Sequence, residues 1–502
     1  MEFLDKDLVS VQETRGLIRK AKEAQKKLAL MSQEDIDRIV KAISDAAYEN
    51  SEKLAKMANE ETGFGKWQDK VLKNVFAAKT VYDSIKDIKT VGIVEENVEK
   101  KSFKIMVPVG VVAGLIPSTN PTSTTIYKAM ISIKSRNAIV VSPHPSAKKC
   151  IIETAKIIAA AAEKAGCPEG AIGCITVPSL EGTNELMKNK DTSLILATGG
   201  EAMVRAAYSS GTPAIGVGPG NGPAFIDKSA DVKLAVKRIL DSKTFDNGTI
   251  CASEQSIVVE KAMEDEVVRE LKEQGAYLLT EEQANQLSKF VMRANGTMNP
   301  QIVGKTPQAI AKLAGLEGVP SWARVLVPRE CHVGHKYPFS REKLTTILTF
   351  FVEENVDAVL SRCKEILLNE GAGHTFCMHA NNEELVKRFA LEMPVSRMIV
   401  NSPGALGGIG ATNNLVPALT LGCGAVGGSS TSHNIGPLDL MNTKNVAYGV
   451  RELEDIRELA VGATKEVATS LDLGDKEELI NLLVKKIIHC LLYTSDAADD
   501  SL

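Results

Sequence analysis

No stretch of this 502-residue chain approaches the ~20 consecutive apolar residues that a membrane-spanning helix needs, so no segment reads as a membrane anchor. The opening MEFLDKDLVSVQ is acidic and lacks the apolar core of a secretory signal. There is no C-x-x-C pair and no H-E-x-x-H, which removes the usual zinc frameworks, and no metal is expected. An excess of one charge is missing too: 59 basic against 63 acidic residues leave a net charge of −4, which offers no electrostatic footprint for DNA or RNA. The nine cysteines, odd in number and irregular in spacing, do not make a disulfide framework and imply reduced thiols in a cytosol-like compartment.

What is present is ordinary globular material, 44% hydrophobic and 24% charged. At roughly 100–200 residues per domain the length allows two to four domains. Glycine is the unusual count, with 38 residues, many clustered where a chain folds closely around a ligand. Residues 10–60 read as helix, with an S-x-x-D cap at Ser32 and Asp35 ahead of Ile36, Ile39, Val40 and Ile43, and residues 66–88 read as a second helical stretch. Residues 91–106 alternate around a turn-like ENVEKK and predict an exposed hairpin, a candidate contact between copies.

From residue 107 short β-branched runs alternate with helices. VGVVAGLI (109–116), NAIVVS (137–142), GCITV (173–177), SLILAT (193–198), PAIGV (213–217) and PAFID (223–227) form one series. SIVVE (256–260), ARVLVP (323–328), ILTFFVE (347–353) and RMIVN (397–401) form another. Each series predicts a parallel, doubly wound α/β sheet. A glycine-rich tract, 404–436, precedes a final helical piece. There DKEELINLLVKKII (475–488) carries a cap at Asp475 and Glu478 and an apolar face of Leu479, Ile480, Leu483, Val484, Ile487 and Ile488. The tail CLLYTSDAADD (490–500) resembles the translated read-through of a sequencing adapter. On that reading the native chain continued past about Ile488, and Cys490 onward is set aside.

Two segments bear chemistry. In FDNGTICASEQSIVVE (245–260), Cys251 sits between a glycine turn and a strand, where a substrate can approach a strong nucleophile; the same residue alone also reads as a small buried thiol. In GLIPSTNPTST (114–124) a strand ends at Pro117, and Asn120 is either a turn residue or an amide aimed at a reacting oxygen.

These segments, with PVGVVAGLIPSTNPTST (108–124), SPHPSAK (142–148), LATGGEAMV (196–204), GPGNGPAFID (218–227), EGAGHT (370–375) and NSPGALGGIG…TLGCG…HNIGP (401–437), resemble the CoA-acylating branch of the aldehyde dehydrogenases, and they occur in that family's order. The resemblance implies an α/β fold of two doubly wound parallel-sheet domains with a small β oligomerisation element. Residues 1–90 and 107–228 then form an NAD-binding domain and 229–429 a domain carrying the nucleophile. Residues 91–106 and 430–450 form an oligomerisation flap, 451–474 a helix and linker, and 475–488 a helix resembling the peptides that dock enzymes to bacterial microcompartment shells.

The resemblance also assigns roles. Cys251 matches the nucleophile, Asn120 the oxyanion donor, and His374 a histidine of the acylating branch near the reaction site. Ser142, Pro143 and His144 fall on the loop that takes the adenosine ribose. Thr198, Gly199 and Gly200 fall on the turn before the helix that faces the pyrophosphate, and Glu342 on the glutamate that holds the nicotinamide ribose. Hydrolytic members carry E-L-G-G-K-S-P, whose glutamate activates water; aligning on Pro223 puts Val217 there, and a valine accepts no proton.

The activity implied is oxidation of a short-chain aldehyde, acetaldehyde or propionaldehyde, with NAD and CoA, NADP remaining open because Ser142 stands where many relatives carry Lys. The implied assembly is a dimer or tetramer. The rivals are a hydrolytic aldehyde dehydrogenase, separated by CoA dependence, and a catalytically silent scaffold protein, which joint retention of Cys251, Asn120 and Glu342 argues against. A fused iron-dependent alcohol dehydrogenase is set aside because the segment after 460 does not resemble the linker of such fusions. GCGAVG (422–427) fits G-x-G-x-x-G but leads into turn residues rather than a helix, and reads as a glycine-rich wall. Cys423 within it is the rival nucleophile. CHVGH (331–335), with Cys331, His332 and His335, reads as a surface loop, and His379 and His433 as structural.

Overall fold

The computed structural model describes residues 5–458, 477–478 and 480–486. The linker before 475, the cap residue Asp475, the apolar positions Leu479, Ile487 and Ile488, and the adapter-like tail lie outside the described residues.

The amino-terminal helical region is three helices rather than one. Helix α1 (Lys6–Leu28) starts where Asp5 accepts hydrogen bonds from the Asp7 and Leu8 amides. Helix α2 (Gln33–Glu49) starts at Ser32, whose hydroxyl accepts from the Asp35 amide as the S-x-x-D pattern predicts, and it buries Ile36, Ile39, Val40 and Ile43. Helix α3 (Ser51–Thr62) ends on Gly63 in the left-handed conformation. Helix α4 (Trp67–Val75) follows, and its buried side chains include Lys70, Lys73 and Asn74, an unusual set for a helix interior face.

Strands β1 (Ile93–Asn97) and β2 (Ser102–Pro108) form the predicted hairpin. The first large sheet then assembles from β3 (Val111–Ile116), β4 (Ala138–Pro143), β5 (Ile172–Cys174), β6 (Thr192–Thr198) and β7 (Ala214–Val217), in the order β5-β4-β3-β6-β7, all parallel. Every residue of β3 and β4 is buried, as continuous apolar runs in a parallel sheet require. The connecting helices are α5 (Pro121–Lys134), buried along its whole length, α6 (Lys148–Lys164), α7 (Leu180–Lys188) and α8 (Glu201–Tyr208). The chain winds from β3 toward β5 and then returns to the other side of β3, so the strand order reverses between β3 and β6. Crevices for ligands open at such a point, outside the carboxyl ends of the strands.

The second large sheet is built from β8 (Pro223–Ile226), β9 (Ser256–Glu260), β12 (Thr349–Glu353), β13 (Gly373–His379) and β14 (Val395–Val400), again all parallel, in the order β12-β9-β8-β13-β14. Helices α9 (Val232–Thr244), α10 (Val356–Asn369) and α11 (Glu383–Glu392) connect its strands. Two differences from the sequence reading stand out. PAFID, read with the first series, pairs in the second sheet, because an apolar run specifies a buried strand but not its partner. GHTFCMH has no counterpart among the predicted strands; it holds a single β-branched residue, Thr375, so nothing in its composition marks it. Between β9 and β12 two short strands, β10 (Ala276–Leu278) and β11 (Val325–Val327), pair in parallel, and ARVLVP with the following Arg329 is also tied to β12 and the segment entering it through bridges Leu326–Ile347 and Arg329–Phe350.

Strand β15 (Met441–Ala447) joins β1 and β2 in a separate three-stranded sheet, ordered β1-β2-β15. The chain divides into two compact units, 1–94 with 104–444, and 95–103 with 445–502. Within the second, the Tyr448 amide donates to the Lys101 carbonyl at 3.0 Å, and Phe103 lies 6.5 Å from the Tyr448 ring. No described helix is long and apolar enough to cross a membrane.

One core contact invites a direct test. The Phe389 ring on α11 stacks on Phe225 at 5.1 Å and on Phe376 at 5.8 Å, fully buried against β8 and β13. Phe389→Ala is expected to lower stability by about 3–5 kcal/mol, read as a fall in the guanidinium midpoint with an unchanged slope.

Candidate active site

The loop before Cys251 is conformationally costly. Asp246, Asn247 and Gly248 follow one another with φ of 47°, 52° and 75°, a left-handed stretch that costs roughly 1–2 kcal/mol for each non-glycine residue. The surroundings hold it there. The Asp246 amide donates to Asp69 Oδ2 at 2.7 Å, and Asn247 Nδ2 donates to the Gly304 carbonyl at 2.9 Å. Asp246 Oδ1 accepts from the Lys66 amide at 2.8 Å. Asp246 Oδ2 accepts from Lys70 Nζ at 2.9 Å, from Thr249 Oγ1 at 2.6 Å and from Lys73 Nζ. Paired in this way, the buried carboxyl is held below its usual range despite the burial that opposes ionisation.

Cys251 emerges from this loop half-buried. Its Sγ lies 3.2 Å from His374 Nε2, and His374 Nδ1 lies 2.9 Å from Thr375 Oγ1. Loss of hydration pushes the Cys251 thiol up to about 12, with Glu342 and Cys423 adding to the push and Arg397 opposing it. Burial, then Arg397, drives His374 down to about 3. At neutral pH the pair is therefore thiol and neutral imidazole. Gly220 lies against Cys251: a Cβ there would sit 2.0 Å from the Cys251 carbonyl oxygen and 3.3 Å from His374 Cε1. The Gly220 amide donates to Glu342 Oε1 at 2.7 Å. Burial, then Glu370, pushes Glu342 up to about 8.

Asn120 precedes α5 at its amino terminus. Its Oδ1 accepts from Lys73 Nζ at 2.6 Å, while Nδ2 reaches the Thr249 carbonyl at 3.5 Å and Thr119 Oγ1 at 3.3 Å. The amide thus faces the segment two residues before Cys251.

At the β3–β6 reversal a cavity of about 760 Å³ opens. It is lined by six of the seven residues expected at a cofactor: Ser142, Pro143, His144, Thr198, Gly199 and Gly200. The seventh, Glu342, is the one beside Gly220. Inside the cavity the Ser142 hydroxyl is bonded to Thr183 Oγ1 at 2.9 Å, and His144 Nδ1 accepts from the Ser146 amide. Thr198 Oγ1 is buried without a partner, and a Cβ at Gly200 would meet nothing within 4 Å. A polar group therefore has both room and an unused hydroxyl at the turn into α8, and the residues present fit a dinucleotide. Asn120, Ser142 and Thr198 stand at the carboxyl edge of the first sheet. Gly220, Cys251, Glu342 and His374 stand at the amino edge of the second.

Two residues of this arrangement, Arg397 and Lys73, lie outside the sequence motifs, and Asp246, though inside FDNGTICASEQSIVVE, has no role that the motif assigns. Arg397 Nη1 donates to the His374 carbonyl at 3.0 Å and Nη2 to the Gly422 carbonyl. Only contacts across sheets and helices reveal such residues, although a lysine on the apolar face of a predicted helix is a signal in principle. Cys423, the rival nucleophile, is buried, and its thiol donates to its own loop at Leu421. Cys331 and His332 are exposed as a surface loop would be. Among the described residues Glu330, Cys331 and His332 bring ligating atoms within 4.8 Å of one another, but they are three consecutive residues, and the His332 ring stacks on Tyr337.

The aldehyde dehydrogenase family model matches residues 7–294. The chain belongs to this family. Among its relatives, the aldehyde-alcohol dehydrogenase of Clostridium acetobutylicum is 44% identical over 88% of this chain. That match covers 51% of the relative, so the chain spans about half the length of the first curated relatives it matches. Among solved family structures, an acetylating aldehyde dehydrogenase from Geobacillus thermoglucosidasius is 52% identical, with a TM-score of 0.88 over 90% of this chain and 99% of that one. A propionaldehyde dehydrogenase from Rhodopseudomonas palustris, solved with bound CoA and an acylated cysteine, is 26% identical, with a TM-score of 0.78 over 87% of this chain and 97% of that one.

The thiol environment predicts a pH profile. Because Cys251 is raised rather than lowered, its thiolate should appear only in alkali. Alkylation of the ligand-free protein by iodoacetamide, followed at the Cys251 peptide by mass spectrometry to separate it from exposed Cys331, should rise about tenfold per pH unit from pH 7 to 10. A plateau near pH 7 would instead reveal a standing thiolate–imidazolium pair.

Proposed function

We propose that this family member is a CoA-acylating aldehyde dehydrogenase, which oxidises a short-chain aldehyde with NAD and transfers the acyl group from Cys251 to CoA. The observation that carries this reading is the chemistry around the sulfur: an imidazole at 3.2 Å, and a valine where the sequence of hydrolytic members places the water-activating glutamate. Val217, aligned with the glutamate of hydrolytic members, is the buried last residue of β7, in the same apolar cluster that packs on Cys251. Glu342, which acts electrostatically on Cys251, is raised to about 8 by burial and then by Glu370, and its Oε1 accepts from the Gly220 amide at 2.7 Å. The Geobacillus and Rhodopseudomonas relatives, one named acetylating and the other solved with CoA and an acylated cysteine, support the same conclusion.

In the proposed reaction the Cys251 sulfur attacks the aldehyde carbonyl as its proton passes to His374 Nε2. The amide Nδ2–H of Asn120 and the backbone N–H of Cys251 stabilise the oxyanion. NAD, held by Ser142, Pro143, His144, Thr198, Gly199, Gly200 and Glu342, supplies the hydride acceptor. The acyl group is then a thioester on Cys251. His374 passes the proton it took to solvent, the H+ of the net reaction; the CoA thiol then attacks the thioester, and its proton moves through His374 to the departing Cys251 sulfur. One thioester replaces another at little net cost, so the sequence also runs in reverse. NAD rather than NADP is supported by the absence of Lys and Arg from 142–144 and by Ser142 being bonded to Thr183.

Two assembly features belong to the same proposal. Exposed Ile93 and Val98 in the hairpin suit a contact between copies in a dimer or tetramer. The terminal helical residues expose Ile480, Leu483 and Val484, as a segment docking to a microcompartment shell protein would.

NADH formation measured over C2–C4 aldehydes with and without CoA tests the reading. Turnover is expected to require CoA. Cys251→Ala should cut it at least about a thousandfold and Asn120→Ala about a hundredfold. A sustained rate without CoA would identify a hydrolytic enzyme instead.

A further inference from the structure

We propose that Lys73 is a positioning residue for this reaction: its hydrogen bond to Asn120 Oδ1 locks the amide so that Nδ2–H is the group presented toward the nucleophile loop. The inference deepens the reading of Asn120 as oxyanion donor and rests on it.

An ammonium has three N–H donors and no acceptor. Lys73 Nζ spends all three within one buried cluster: on Asn120 Oδ1 at 2.6 Å, on Asp246 Oδ2, and on Thr249 Oγ1 at 3.3 Å. Whatever faces that ammonium must accept, so the two ends of the Asn120 side chain, otherwise interchangeable, are distinguished. The oxygen turns to Lys73 and the nitrogen turns away. On that side Nδ2 finds only long contacts, 3.5 Å to the Thr249 carbonyl and 3.3 Å to Thr119 Oγ1, which leaves its protons available to a stronger acceptor. A cation behind the carbonyl also polarises the amide and strengthens its N–H donors, an effect amplified where water is excluded. Without Lys73 the amide could rotate and offer its oxygen to a developing oxyanion, which repels rather than stabilises it.

The same ammonium, through Asp246 and Thr249, reaches the loop that carries Cys251. Donor and nucleophile are thus referenced to one buried charge on α4. Burial lowers Lys73 to about 8, which leaves it mostly protonated at neutral pH. Lys70 Nζ also bonds Asp246 Oδ2 at 2.9 Å, so removal of Lys73 does not strand the carboxylate without a cation.

The test is a double-mutant cycle in the full chain, followed by CoA-dependent NADH formation and thermal melting. Lys73→Met should lower kcat about ten- to a hundredfold with the KM for NAD changed less than about twofold. In an Asn120→Ala background the same substitution should change kcat less than about threefold, because the group it positions is gone. If Lys73→Met melts out, Lys73→Gln takes its place: its neutral amide keeps a donor to Asn120 Oδ1 but loses the polarising charge, so kcat should fall about five- to tenfold and that loss should vanish in the Asn120→Ala background. Equal losses in both backgrounds would reduce Lys73 to a structural role and overturn the proposal, as would a wild-type rate in Lys73→Met. An Asn120→Ala variant with undiminished kcat would overturn the oxyanion reading itself, a result distinguishable from failure of the Lys73 step alone.

Discussion

A single buried carboxylate organises this molecule's chemistry. Asp246 takes hydrogen bonds from the Lys66 amide, Lys70, Lys73 and Thr249, and its own amide is held by Asp69. Partners from α4 and from the segment before it thus clamp a loop whose backbone is unfavourable at three successive residues. Gly65 belongs to the same clamp, since a Cβ there would fall 1.8 Å from Asp246 Oδ1. A buried ionic cluster of this kind is a poor source of net stability, because desolvation cancels much of the attraction, but removing one partner is costly. Its return is geometric: the nucleophile leaves the loop in one direction.

The second organising element is the pair of parallel sheets. Each is covered on both faces and each reverses its strand order, yet they contribute opposite edges to the site. The first sheet offers its carboxyl edge, where the cavity lined by Ser142 and Thr198 opens. The second offers its amino edge, where Gly220, Cys251 and His374 converge. Glycine at 220 lets backbone approach backbone, and the Gly220 amide in turn fixes Glu342. The local field then sets protonation: thiol, imidazole and the Glu342 carboxyl are all driven toward their neutral forms by burial.

Much of the fold was legible because parallel strands buried on both faces must be written as apolar runs, as VGVVAGLI and NAIVVS are. Where a strand breaks that rule, as GHTFCMH does, composition is silent, and where a run could join either sheet, as PAFID could, only pairing decides. Cys251, Asn120, His374 and Glu342 were singled out from motifs in order along the chain. The contacts of Lys70, Lys73, Asp246 and Arg397 could not be, since they span up to 176 residues of sequence, as between Lys70 and Asp246. A lysine in a helical pattern reads as a solvated face by default, and only tertiary packing shows that Lys73 is 2% exposed.

The edge-to-edge arrangement leaves the far side of the second sheet idle. The loops that leave Ile226, Glu260, Glu353 and His379 emerge from its carboxyl edge, at the opposite end of the strands from Cys251 and His374, whereas the segment after Val400 turns back so that the Gly404 amide donates to Glu254 Oε1 at 2.7 Å. Chain segments there can lengthen, drift or acquire fused modules at little cost to turnover. The scaffold has, in effect, one edge committed to chemistry and another available for evolutionary or engineered elaboration.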